Sequence, residues 1–224
     1  MDIPVMQDIL GRNDMVASEN KALFDKNNVL AINLLGSPGS GKTTILEKTI
    51  ANLKNDLRLA IIEGDLFTDK DADRIAQHNV PVIQINTNGG CHLDAPMVKE
   101  VLSDLDLANL DVVIIENVGN LVCPAEFIVG EDMKITVLSI TEGDDKPLKY
   151  PIIFKESQAV ILNKVDILPF TNFDMESAKH DLKCIHPQLE IMETAASNGQ
   201  GIDEWCDFIR KEFKKKQERL NRGI

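Results

Sequence analysis

The chain has 224 residues, 43% of them hydrophobic and 27% charged, with a formal net charge of −12 and a pI of about 4.8. That size and balance fit one large globular domain, or one domain with appendages, rather than two independent folds. The acidity argues against a long groove that neutralises a polyanion, so nucleic acid is not an expected partner, and an anionic ligand needs local help from backbone N–H groups, a lysine or a metal ion.

Residues 1–28 read as a helical extension whose acidic residues interrupt the apolar ones, which fits neither a signal peptide nor a membrane span. No later apolar run approaches the ~20 residues of a spanning helix, so no membrane is expected and a cytoplasmic location is. Cys91, Cys123, Cys184 and Cys206 are too dispersed for a disulfide scaffold and are read as thiols. Residues 29–224 then carry apolar runs of strand length at 29–35, 58–64, 80–86, 112–118, 135–141, 159–165 and 189–196. Continuous rather than alternating apolarity marks strands buried on both faces, as in a parallel sheet covered by helices. Helix-like segments at 43–55, 71–78, 96–105, 174–185 and 202–220 alternate with them, the last with a solvated basic end. The expectation is a doubly wound α/β domain with a mostly parallel sheet of about seven strands, of the P-loop NTPase type, closed by a C-terminal helix.

Gly36 to Thr44, GSPGSGKTT, satisfies G-x-x-x-x-G-K-[ST] between the first strand and the first helix of the domain, where that motif belongs. Gly36, Gly39 and Gly41 allow the backbone, running through Ser37, Pro38 and Ser40, to wrap with its N–H groups inward, Pro38 itself having none, and the helix N-terminus adds positive potential. Lys42 is assigned to the β/γ-phosphate oxygens and Thr43 to Mg2+, with Thr44 completing the motif. After the second strand, residues 64–74 (GDLFTDKDADR) have the acidity of a switch segment, in which Asp65 or Asp71 meets Mg2+ or orients water, the alternative for each being a solvated acidic loop. NTNGGCHLDAP, Asn86 to Pro96, sets Cys91 beside His92 between two glycines and a helix. A cysteine is commonly a small hydrophobe and a lone histidine a surface residue. Here a third soft ligand, Cys123, follows only seven residues beyond Glu116. Two thiolates and an imidazole suit Zn2+ or Ni2+, with water, Asp94 or a second subunit as the fourth ligand.

Glu116 at the end of the fourth strand is placed for the magnesium shell, and Gly119 for the γ-phosphate. Asn163-Lys164-Val165-Asp166 follows the sixth strand. An Asp166 carboxylate accepts from guanine N1–H and its exocyclic amine, the Lys164 stem lies along the base, and Asn163 ties this loop to the phosphate loop. Ala195 or Ala196 is a candidate N–H donor to guanine O6. P-loop, ExxG and NKVD in this order favour GTP over ATP.

Together, GSPGSGKTT, GGCHLD, ENVGNLVCPAEF, EGDDKPLKYP and NKVD resemble the HypB-type nickel-insertion GTPases of [NiFe]-hydrogenase maturation, over essentially all of 29–210. The resemblance implies a low-turnover GTPase that forms a GTP-dependent homodimer and carries Ni2+ or Zn2+ near the dimer interface on Cys91, His92 and Cys123. It further implies maturation proteins and the hydrogenase large subunit as partners, and Lys149 or Lys146 reaching the nucleotide of the other subunit. Residues 1–28 hold no cysteine or histidine, so a nickel-storage tract is not expected there. Competing readings are a GTPase chaperone for urease or a cobalamin enzyme, a P-loop kinase, and a metal carrier that binds nucleotide without turnover.

Overall fold

The computed structural model describes residues 7–66 and 70–222. Among these, seven strands form one wholly parallel sheet: β1 (Leu30–Gly36), β2 (Leu59–Asp65), β3 (Val82–Asn86), β4 (Val112–Glu116), β5 (Met133–Ser139), β6 (Ala159–Asn163) and β7 (Glu190–Thr194), in spatial order β3-β2-β4-β1-β5-β6-β7. The helices are α1 (Gln7–Lys26), α2 (Lys42–Leu53), α3 (Lys70–Ala76), α4 (Ala95–Leu102), α5 (Cys123–Glu126), α6 (Lys146–Lys149), α7 (Pro151–Glu156), α8 (Met175–Ile185) and α9 (Ile202–Asn221). This is the expected doubly wound α/β architecture of a P-loop NTPase.

The period-2 alternation of β1 sorts its side chains into two cores. Leu30, Ile32 and Leu34 pack with Ile45, Leu46 and Ile50 of α2 and with Trp205 and Ile209 of α9. On the opposite face Ala31 joins Ala60, Ile62, Val113 and Ile115 beneath α4, with Phe24 of α1, while Leu35 joins a third cluster with Ile153, Phe154 and Leu182. Trp205 is fully buried and satisfies its indole N–H on Thr49 Oγ1 at 2.9 Å, locking α9 to α2.

Buried amides fix α1 to the domain. Asn20 Nδ2 donates to Ala95 O at 2.9 Å and Val129 O at 3.0 Å, and Asn13 accepts from Ala95 N. The α1–α9 junction is ionic: Lys216, nearly inaccessible, donates to Val29 O and Asp132 Oδ2, both at 2.6 Å, and pairs with Asp25 at 2.7 Å. Asp132 also accepts from Ala31 N at 2.9 Å and pairs with Lys21 at 3.1 Å and Arg219 at 3.2 Å, so Asp132→Ala leaves a buried amide unpaired and three cations to share Asp25, and should cost about 3–5 kcal/mol in denaturant unfolding. A loss below about 1 kcal/mol would mean that Asp25 alone neutralises Lys216 and that Asp132 is dispensable to the junction.

β4 ends at Glu116, where the carboxylate was expected, two residues before the apolar run 112–118 does, and the Asn117 side chain takes over backbone bonding at the exit. Within the polar stretch 142–151, Lys146–Lys149 form the short helix α6, and α7 begins at Pro151. A proline in the first turn of each helix supplies a preset φ where no N–H is needed.

Candidate nucleotide and metal site

All strands of a parallel sheet point the same way, so the loops leaving their C-terminal ends converge on one edge, where ligands bind in such folds. The loop leaving β1 wraps into the N-terminus of α2 around a cleft of 450 Å³ lined by Gly39, Lys42, Thr43, Asp65, Glu116 and Gly119, among others. At Gly41, with φ +100°, a Cβ would lie 2.4 Å from Asn163 Nδ2, so only glycine lets the loop approach the β6 exit. Gly119 is equally confined: a Cβ there would stand 2.8 Å from Pro38 N and 2.9 Å from Pro38 Cα.

Lys42 is buried, its ammonium 3.4 Å from Gly36 O and from Ser37 O and 4.0 Å from Glu116 Oε1. Thr43 Oγ1 donates to Glu116 Oε1 at 3.1 Å. Parallel pairing of β2 with β4 sets Glu63 directly beside Glu116, and Oε2 of each is buried without a hydrogen-bond partner. Burial and the neighbouring Glu116 push the Glu63 carboxyl up to about 11, and burial raises Glu116 as well. Orphan carboxylate oxygens beside a hydroxyl, facing a phosphate cleft, suit a hard oxygen-seeking cation such as Mg2+.

The sign of the Glu63 shift gives a prediction. Its folded value lies above the ordinary carboxylate range, so its contribution to stability is fully present below about 4.5 and is lost as pH rises toward 11. Without magnesium or nucleotide, Glu63→Gln should therefore raise the melting temperature more at pH 8 than at pH 5. An equal change at both would show that Glu63 carries no raised pKa.

The acidic segment contributes unevenly, and its residues 67–69 lie outside the described ones. Asp65 and Asp71 both line the cleft; Asp65 accepts from Leu66 N, and Asp71 pairs with Arg74 at 3.1 Å. Arg74, not singled out from the sequence, lines the same cleft and reaches Glu47 at 2.6 Å and Thr44 Oγ1 at 3.3 Å. Glu63 was likewise missed, because it sits inside an apolar run and its neighbour Glu116 is set by strand order.

A second hollow, lined by Asn163, Lys164, Asp166, Ala196 and Ser197, adjoins the first, sharing Gly41, Thr44 and Lys164. Asn163 Nδ2 donates to Ser40 O at 2.9 Å, while its Oδ1 accepts from Thr194 Oγ1 and Ala196 N, so one amide clamps the phosphate loop to the β7 exit. Lys164, in the left-handed region at φ +68°, sends its ammonium to Gly39 O at 2.7 Å. Asp166 Oδ2 accepts from Ser197 Oγ at 3.1 Å. The Ala195 N–H donates to Gln200 O and the Ala196 N–H to Asn163 Oδ1, so a base contact from either requires one of these bonds to be exchanged.

On the far side of the β4 exit, the ligand atoms of Cys91, His92 and Cys123 lie within 4.8 Å of one another. Cys91 Sγ stands 3.5 Å from His92 Nδ1, and the His92 ring lies 4.0 Å from that of Phe127. Burial holds the His92 pKa below its usual value against the pull of Asp94, leaving a neutral ring with a lone pair to donate. Asp94 caps α4 through Met97 N at 2.9 Å, so its carboxylate already has a structural partner. Lys149 and Lys146 lie outside the cleft: Lys149 pairs with Asp145, and Lys146 sits over the Tyr150 ring at 5.4 Å. Cys184 approaches His180 at 3.5 Å on α8, and Cys206 is buried.

Residues 30–193 match the family model described as CobW/HypB/UreG, nucleotide-binding domain. The chain is 48% identical over 208 residues to the hydrogenase maturation factor HypB of Azotobacter vinelandii, covering 93% of this chain and 69% of that one. It is 39% identical to the probable hydrogenase maturation factor HypB of Methanocaldococcus jannaschii, covering 95% and 96%. The crystal structure of HypB from Helicobacter pylori in complex with nickel superposes with a TM-score of 0.86 at 36% identity, covering 91% of this chain and 96% of that one.

Proposed function

Because the chain belongs to the HypB hydrogenase maturation factors of the CobW/HypB/UreG nucleotide-binding family, we propose that it hydrolyses GTP and carries Ni2+, or Zn2+ in its place, as cargo for [NiFe]-hydrogenase maturation. The observation that carries this reading is the course of one short segment. It leaves β4 at Glu116 in the phosphate cleft, passes Pro38 at Gly119, and begins α5 at Cys123 among the soft ligands. A nickel complex of a relative with the same fold supports the choice of cargo.

The roles follow from chemistry. Inward N–H groups of the Gly36–Thr44 loop, Pro38 excepted, and the Lys42 ammonium hold the triphosphate, and the Thr43 hydroxyl with Glu116 would hold Mg2+, which supplies charge neutralisation on the phosphates. Asp65 or Asp71 orients the attacking water or completes the magnesium shell. Cys91, His92 and Cys123 present two sulfurs and a nitrogen, a donor set for a transition metal and not for magnesium. The fourth position belongs to water, Asp94 or a second subunit. GTP closes a homodimer in which Lys149 or Lys146 of one subunit reaches the nucleotide of the other, and the cargo passes to maturation proteins and the hydrogenase large subunit in the cytoplasm. Among the described residues no helix is long and apolar enough to cross a membrane.

Base choice tests the nucleotide half. Asp166→Asn replaces one acceptor by a donor facing the guanine N1–H and amine, so guanine-nucleotide affinity should fall roughly 10–100-fold, as for a buried donor left unpaired. Xanthine nucleotides, which offer a carbonyl at that edge, should bind the variant better than guanine ones. Multiple-turnover phosphate release from GTP but not ATP by the unmodified chain completes the test; equal release from both would remove the guanine assignment.

A further inference from the structure

Midway along the shared segment, Asn120 bonds to three separate parts of the site. Its backbone N–H donates to Gly36 O at 3.0 Å, forming a bridge between the phosphate loop and the β4 exit. Its side-chain Nδ2 donates to Cys91 O at 3.3 Å, and its Oδ1 accepts from Val122 N at 2.8 Å, one residue before Cys123. The backbone of Asn120 thus reads the phosphate loop while its carboxamide holds both cysteine-bearing turns.

The surroundings show which end is fixed. Asn117 is buried and bonded at both ends of its amide: its Oδ1 accepts from Leu93 N at 2.9 Å and Val118 N at 3.0 Å, and its Nδ2 donates to Asn33 Oδ1 at 3.2 Å. That amide pins the Leu93 side of the metal loop to the core. Cys91 and Asn120 lie beyond the pin, Cys91 exposed and Asn120 only half-buried. At Gly119, between the two asparagines, a Cβ would meet Pro38, so the segment runs close against the phosphate loop with no side chain between them.

We propose that Asn120 is the positioning residue that couples phosphate-loop occupancy to the separation of Cys91 and Cys123, acting through its bond to Cys91 O. This rests on the metal and nucleotide assignments above. A shift of Gly119 toward or away from the phosphates moves the Asn120 carboxamide, which pulls on the two cysteine turns unequally, since one is attached through a 3.3 Å bond to the Cys91 carbonyl and the other through a 2.8 Å bond within a local turn. Nucleotide state thereby sets how well the two sulfurs meet one metal, and linkage makes the effect reciprocal.

The test is calorimetric Ni2+ titration of the full chain, with GDP and with a non-hydrolysable GTP analogue, in the unmodified protein, Asn120→Ala and Asn120→Ser. The readout is the ratio of the two dissociation constants. The unmodified chain should give a ratio of roughly tenfold, within the usual range of coupling between sites, and Asn120→Ala should bring it below about twofold. A role only in shape would weaken both states alike and leave the ratio unchanged. Serine can still accept from Val122 N–H, but its hydroxyl is too short to reach Cys91 O as the asparagine amide does, so Asn120→Ser should also lose the ratio, and it carries the test if the alanine variant does not fold. A ratio retained in either folded variant overturns the assignment of Asn120 while leaving the metal-carrier reading intact. No difference between states in the unmodified chain removes nucleotide coupling itself, and the role of Asn120 with it.

Discussion

Lys42→Ala should lower single-turnover GTP hydrolysis by roughly 10²–10³-fold, the loss typical of deleting one preorganised charge from a transition-state site. The effect is large because the ammonium has little competing employment: it lies 3.4 Å from two carbonyls of its own loop and 4.0 Å from Glu116 Oε1, in a buried position. It is held ready for the oxygens that gain charge as the terminal phosphoryl leaves. The variant also leaves Glu63 and Glu116 adjacent without a neighbouring cation, which favours the form in which they share a proton. Rapid-quench measurement of phosphate release, alongside thermal unfolding, checks this. A variant that stays folded and loses less than about tenfold would place the main charge stabilisation elsewhere, with Arg74 and Lys164, which line the same cleft, as the candidates.

Cys91→Ala should weaken Ni2+ binding by more than about 100-fold, beyond the 10–100-fold usual for loss of a group that merely supports a ligand. With its ligand atoms within 4.8 Å of one another, the Cys91–His92–Cys123 set needs only small side-chain rotations to converge on one ion. Removing Cys91 leaves one sulfur and one ring nitrogen, half of a tetrahedral shell. His92→Ala should be milder, because the two sulfurs remain. Competition titration against a chelator of known affinity measures both. Cys184→Ala, on α8, should leave the affinity unchanged, and a comparable loss there would relocate the metal to the Cys184–His180 pair.

Local sequence carries some parts of this site and not others, for a physical reason. The phosphate loop is legible because its glycines, lysine and threonine act within nine consecutive residues, between a strand and a helix that announce themselves by apolar periodicity. NKVD is legible for the same reason. The grouping of Cys91 with Cys123 needed a further step, namely that the exits of two parallel strands lie at one sheet edge. Glu63 stayed hidden because its significance comes from the pairing of β2 with β4, two strands separated in sequence by α3, β3 and α4. Asn117 and Asn120 stayed hidden too: an asparagine after a strand is unremarkable until its amide is seen bridging segments 24 and 29 residues away. The helices α6 and α7 escaped because four and six residues are too few to display a 3.6-residue period.

The most direct test of the account is the affinity of the unmodified chain for Ni2+ in its two nucleotide states, with solution mass recorded at each point. A segment that touches the phosphate cleft at Glu116 and Gly119 and bears a ligand at Cys123 predicts dissociation constants differing by roughly tenfold between GTP-analogue and GDP forms, and a mass that shifts with the nucleotide. Identical nickel affinity in both forms, at unchanged mass, would contradict it.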